Sequence, residues 1–392
     1  MSNIETEKQQ WHAERRKIVG ASEISPVIRA TSSEEDIKKA MGESTKDFME
    51  SKDFLTAYES YHIKKGTLES KPFCPIMSEF GHKMEKFAEM YFNNFLDICK
   101  VVHQPQKVLN STLHKLAGYT PDILGEFIKD TDFRGYAVSA GEKFVLEVKT
   151  YDYFMAKKDD INSNGSKWGY IMQNQYQVWQ EQARDKNYKW GIIAHIVPLK
   201  ADYNNDFYKG KACLCCDNIA NGGYKKLQEW YDINIWVYPI YESLHPLFLN
   251  ALNVWDNMLQ NDIEPEPDFL RDKSSMAKLF RENMPEIKSH CKIKYGIDDG
   301  VIPIDKLEKD AINIYDDANI FYETASEYKR LGDKLSEFKT RHFAFFKRVG
   351  IIGIDGKNWT IKGSASGCSA TVNCQFKNYE EMQKGVIASD KC

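Results

Sequence analysis

The chain has no apolar run long enough to cross a bilayer, which excludes a helical membrane-spanning protein. It has no signal-like N-terminus, no internal repeat and no low-complexity tract, which argues against a secreted, solenoid or disordered chain. Excess charge is also missing: 53 Lys and Arg stand against 57 Asp and Glu, a net of −4, so the surface is not coated in basic residues. Nucleic acid is not thereby excluded, because binding depends on local cationic grooves and not on the sum. Nor is there a disulfide framework. The nine cysteines are odd in number and scattered, as expected of reduced thiols in a cytoplasmic compartment. Three of them, Cys213, Cys215 and Cys216, fall in "CLCC". Without a fourth at a matching short spacing they read as packing or loop thiols and not as a metal or iron–sulfur cluster.

What is present is ordinary globular composition, 42% hydrophobic and 13% aromatic over 392 residues, enough for an enzyme core and an appended region. "TEKQQWHAERRKI" and "EISPVI" read as helices flanking the turn "VGAS". From Ser78 to about Ile98, Phe80, Met84, Phe87, Tyr91 and Phe95 recur at helical spacing. Strands are expected in "VVHQPQKVL", "KLAGYTPDILG" and "KFVLEVKTY", then a helix "WGYIMQNQYQVWQEQAR" and strands "KWGIIAHIVPL" and "DINIWVYPIY" around an insertion at 200–230. The helix "HPLFLNALNVWDNMLQ" stops near "EPEPDF". The expected organisation is a core at 1–264, a linker at 265–304, and a helical extension with a C-terminal hairpin turning at Asp355–Gly356 over 305–392. A heptad-like stripe, Ile314, Phe321, Tyr328, Leu331, Leu335 and Phe338, reads as a helix-packing seam.

Side chains alternate along a strand, so Phe144, Leu146 and Val148 point one way, and Val145, Glu147 and Lys149 the other. Asp122, in "GYTPDILGEF", lies one hairpin's length upstream. Two carboxylates at one strand edge form a hard, oxygen-rich site suited to Mg²⁺, which polarises a phosphodiester and acidifies a bound water. A lysine beside them stabilises developing negative charge or orients that water. The triplet alone says little, since eight Asp/Glu-x-Lys triplets occur and most read as surface ion pairs. Only the one at 147–149 combines an apolar strand with an upstream Pro-Asp turn.

Five segments in order resemble the lambda-exonuclease-type, YqaJ-like viral recombinase family of PD-(D/E)XK nucleases: "WHAERRKIVGASE" with Trp11, Arg15 and Ser22, "FGHKMEKFAEMYF" with Gly81 and Glu85, "TPDILG", "LEVKT" and "YIMQNQYQVW". They cover roughly residues 8–260. The resemblance implies an α/β (α+β) restriction-endonuclease-like core, a mixed sheet flanked by helices, with a C-terminal helical extension and a small β element. It implies Mg²⁺ (Mn²⁺ substituting) held by Asp122, Glu147 and the Val148 backbone carbonyl, with Lys149 assisting the water and Glu85 approaching a second metal or its waters. Gly81 would leave that helix face uncrowded for a phosphate. Arg15, Ser22 and Gln173 fall where the family grips the 5′-phosphate of duplex DNA, and Ser22 also looks like a helix N-cap. A hydroxyl residue two positions before that serine is replaced here by Gly20, which weakens the expectation of strict 5′-phosphate dependence. Tyr176 and Gln177 are secondary candidates.

The function expected is a 5′→3′ exonuclease acting on double-stranded DNA ends to expose a 3′ single-stranded tail for recombination, in the cytoplasm of a bacterial or phage-infected cell. The resemblance further implies a ring-like homo-oligomer and a partner that anneals the exposed strand. The alternatives are an endonuclease of the same fold, in repair or defence, and a catalytically idle DNA-end-binding module.

Overall fold

The structure is a computed structural model that describes residues 13–70, 75–104, 107–151, 153–158, 165–199, 229–268 and 270–295, short helical pieces between 326 and 334, and three strands between 353 and 376. Trp11, the "CLCC" cluster and the expected seam apart from Leu331 lie outside the described residues. By compactness the chain divides into two units, 1–284 and 285–392.

The first unit begins with a 3-10 turn, Ala21–Glu23, and four short helices: α1 (Ile24–Thr31), α2 (Glu34–Met41), α3 (Thr45–Glu50) and α4 (Ala57–Lys65). Helix α4 has a sharp start and stop. The Thr56 side chain accepts from the Glu59 amide, and Gly66 closes the helix in the left-handed conformation at φ 75°. The long helix α5 (Pro75–Phe95) leads into β1 (Cys99–His103), the short strands β2 (Leu109–Asn110) and β3 (Gly118–Tyr119), and β4 (Ile123–Phe127). A small hairpin, β5 (Thr131–Phe133) and β6 (Tyr136–Val138), separates β4 from β7 (Lys143–Thr150). Then come α6 (Tyr153–Lys158), α7 (Trp168–Arg184), β8 (Tyr188–Pro198), β9 (Tyr231–Pro239), α8 (Leu244–Gln260) and α9 (Lys273–Glu282).

Five strands form one mixed sheet in the order β1-β4-β7-β8-β9. All neighbours are antiparallel except β7 and β8, which run parallel with α7 as the crossover. Along β7 the apolar alternation decides what each face carries. Phe144, Leu146 and Val148 bury against Phe80, Met84, Phe87 and Phe92 of α5, and each such fully buried side chain stabilises the fold by about 1.5–3 kcal/mol. Val145 packs on the opposite face against Val178 of α7. A second apolar core joins α1, α7 and α8 around Tyr176, Phe248 and Trp255. This mixed sheet between helical layers is consistent with the expected PD-(D/E)XK-like core.

The stretch 265–304, expected as a linker, instead carries α9 and α10 (Met284–Tyr295). Buried polar contacts explain why α9 belongs to the first unit: Thr56 Oγ1 donates to Asp272 Oδ1 at 2.6 Å and Ser275 Oγ donates to Glu59 Oε1 at 2.8 Å. The second unit contains a three-stranded antiparallel sheet, β10 (Gly353–Asp355), β11 (Trp359–Ser366) and β12 (Ser369–Phe376). The expected hairpin is its β10–β11 pair, extended by one further strand.

Candidate active site

Asp122 stands one residue before β4, whose Ile123 pairs with Leu146 of β7. That register brings Asp122 to the end of β7 that carries Glu147, and Asp122 Oδ2 accepts the Val148 amide at 2.9 Å. Glu147 is 2% exposed. Its Oε1 accepts from Lys149 Nζ at 2.6 Å and from Gln173 Nε2 at 2.6 Å, and its Oε2 accepts from Gln177 Nε2 at 2.9 Å. Lys149 Nζ also donates to Gln173 Oε1 at 3.1 Å and lies 4.8 Å from the Tyr170 ring centroid. Tyr170, Gln173 and Gln177 recur at three and four residues, so α7 offers them on one face directly over the strand.

Burial first, then the neighbouring carboxylates of Glu147 and Glu85, push the Asp122 carboxyl well above the usual range. Lys149 behaves oppositely: burial disfavours its ammonium, but the charges of Glu147 and Asp122 outweigh that and raise it. The lysine is therefore a fixed cation, suited to hydrogen-bond donation and not to taking up a proton at neutral pH.

Glu85 comes from α5. Burial works to raise its carboxyl, but hydrogen bonds with His82 and His103 prevail and lower it. Glu85 Oε2 lies 2.8 Å from His103 Nε2, and Oε1 lies 3.3 Å from His82 Nδ1. His103 sits at the end of β1, its amide donating to Glu89 Oε1 at 2.9 Å. At Gly81 an added Cβ would meet nothing within 4 Å, so this part of the helix face is open.

Among the described residues, no three His, Cys, Asp or Glu side chains are drawn up at ligand spacing. In place of such a shell, Lys149, Gln173 and Gln177 satisfy both oxygens of Glu147. The donor chemistry nevertheless fits a hard divalent cation. Burial and then the charges of Glu147 and Glu85 disfavour the ionised form of Asp122. A divalent cation beside these carboxylates would relieve that repulsion.

Arg15 and Ser22 form a second group. An Arg15 Nη2 donates to Ser22 Oγ at 2.7 Å. Ser22 lies inside the 3-10 turn, and the residue at the N-cap of α1 is Glu23, which makes no side-chain cap bond. The expected capping role of Ser22 is thus corrected: helical winding starts at Ala21, which puts Ser22 past the cap position. The Glu23 carboxylate satisfies the turn instead, accepting the Gly20 amide at 2.8 Å. A Cβ at Gly20 would stand 3.3 Å from Glu23 Oε2 and 3.6 Å from Arg15 Nε, so carboxylate and guanidinium already line the space beside this residue. Gln173 bonds with the Glu147–Lys149 pair and not with Arg15 or Ser22. The two groups are linked through α7, whose Tyr176 hydroxyl donates to the Val19 carbonyl at 3.2 Å.

Sequence reading missed Glu23, Lys64, His103 and Tyr170. The helical spacing of Tyr170 from Gln173 was a usable signal. Lys64 and His103 carried none, since only tertiary contacts bring them in.

The fold is a mixed α/β sheet flanked by helices, with acidic residues and a half-buried lysine gathered at one end of β7. A model of the YqaJ-like viral recombinase domain matches residues 10–183, a stretch that contains every candidate site residue. That stretch is similar to the YqaJ-like viral recombinase domain, whose members are nucleases, and the similarity points to a nuclease or recombination role in general. No curated protein and no solved structure matches the chain. Among the described residues, no helix is long and apolar enough to cross a membrane.

Proposed function

We propose that this chain is a Mg²⁺-dependent exonuclease that degrades one strand of linear duplex DNA from its 5′ end. The observation that carries the reading is the Asp122–Glu147–Lys149 arrangement, tied together by the Val148 amide and the Gln173 amide group. Asp122, Glu147 and the Val148 carbonyl would hold the ion, with Glu85 beside them. When bound, Mg²⁺ supplies a Lewis acid for the phosphodiester and a water of lowered pKa.

The chain's own groups do the rest. Glu147 and Asp122 face the scissile phosphate from one strand edge and orient the attacking water. Lys149, held as an ammonium, donates a hydrogen bond to that water or to a phosphoryl oxygen as charge builds. Water oxygen bonds to phosphorus, the bond from phosphorus to the 3′ oxygen breaks, and that oxygen takes up a proton. A 5′-mononucleotide leaves, and the new terminus again carries a 5′-phosphate. The Arg15 and Ser22 group fits that product as the next substrate, since a guanidinium and a hydroxyl are suited to a terminal phosphate. Resemblance to the family also supports a ring-like homo-oligomer around the duplex and an annealing partner for the exposed strand.

The test is digestion of linear duplex and covalently closed circles by the purified chain, with Mg²⁺ and with chelator. Loss of linear duplex alone, abolished by chelator, supports the proposal. Cutting of closed circles identifies an endonuclease, and failure to degrade either DNA leaves the end-binding module.

A further inference from the structure

Behind Arg15 and Ser22 lies a buried ion pair that the catalytic reading does not use. The Glu23 and Lys64 side chains are 6% and 4% exposed, with Lys64 Nζ donating to Glu23 Oε2 at 3.0 Å. Glu23 is a hub: its Oε2 also accepts the Gly20 amide at 2.8 Å, and its Oε1 accepts Ser60 Oγ at 2.9 Å. Lys64 reaches further, its Nζ donating to the Arg15 carbonyl at 3.4 Å. The pair therefore grips both ends of the segment from Arg15 to Glu23, and Ser22 lies within that segment. Burial raises the Glu23 carboxyl, but Lys64, Arg15 and the Gly20 amide outweigh it, so the carboxylate stays ionised.

A buried ion pair is weak support for stability, because desolvation offsets most of its attraction. What it supplies is a fixed arrangement. Arg15 has a long, rotamer-rich side chain, and ordering it only on binding would weaken binding. Holding its backbone and the Ser22 turn in advance removes part of that loss.

We infer that Lys64 and Glu23 are positioning residues for recognition of a terminal 5′-phosphate, with Lys64 acting through Glu23 to hold Arg15 and Ser22 together. This rests on the reading of Arg15 and Ser22 as the end-phosphate group.

The test measures affinity of the full chain for blunt duplexes ending in 5′-phosphate or 5′-hydroxyl, by fluorescence anisotropy with Ca²⁺ in place of Mg²⁺. Charge-assisted hydrogen bonds of the usual strength give wild type a preference of about tenfold or more for phosphate. Lys64→Met brings that preference below about threefold, Lys64→Arg restores it, and Ser60→Ala, which removes only a neutral bond to Glu23, gives an intermediate loss. Lys64→Met with Glu23→Gln loses no more than the worse single change, because coupled residues are not additive. An undiminished preference in Lys64→Met, no rescue by Arg, or additive losses overturn the inference. If Arg15→Ala alone removes the preference, the end-phosphate reading survives and only the positioning pair falls. If wild type shows no preference, both fall.

Discussion

The amide of Val148 donates to Oδ2 of Asp122 at 2.9 Å, joining two residues that lie 26 positions apart. The strand that carries Glu147 thus fixes Asp122 through its own backbone, ahead of any ligand. The arrangement has an electrostatic cost, because a carboxyl under burial and beside Glu147 and Glu85 ionises reluctantly.

That cost has a definite sign. A carboxyl raised in the folded state binds more protons there than in the unfolded chain, so stability falls as pH rises from the unfolded carboxylate pKa towards the folded one. Without metal, Asp122→Asn should melt higher than wild type at neutral pH, and the gap should close in acid. Thermal unfolding across pH in chelator checks this. Added Mg²⁺ should stabilise wild type increasingly as pH rises and should do little for Asp122→Asn.

Lys149 and Gln173 both touch Glu147, but their losses should differ in size. Lys149→Met removes the donated charge and should lower turnover by about 10²–10³-fold. Gln173→Ala removes an orienting partner and should lower it by about 10–100-fold. Single-turnover hydrolysis of linear duplex at saturating protein separates these from binding. Equal losses would remove the special status of the lysine.

Trp255 is fully buried on α8 among α1 and α7. Trp255→Ala should destabilise the first unit by about 3–5 kcal/mol. Urea unfolding followed by tryptophan fluorescence measures it, with the remaining tryptophans as reporters.

The pairing of β4 with β7 was legible because β7 announces itself. Its alternation sorts Phe144 and Leu146 from Glu147 and Lys149, and "TPDI" ahead of it marks the returning strand. Helix α7 was legible over its full length, Trp168–Arg184, from apolar periodicity. That Gln173 bonds with Glu147 and Lys149, and not with Arg15 or Ser22, was not legible, because the partners meet only where α7 packs on β7. Glu23 and Lys64 were equally hidden: 41 residues separate them, and neither segment differs in composition from a solvated helix. The linker expected at 265–304 followed from prolines and charge, while the contacts that pull α9 inward, Thr56 to Asp272 and Glu59 to Ser275, leave no local pattern.

The most direct measurement is calorimetric titration of Mn²⁺ into the metal-free protein, into Asp122→Asn and into Glu147→Gln. Wild type should bind the ion with proton release at neutral pH, and each variant should lose most of that binding while remaining folded. Binding of undiminished strength in either variant would mean that the two carboxylates do not share a cation, and the account would be wrong at its centre.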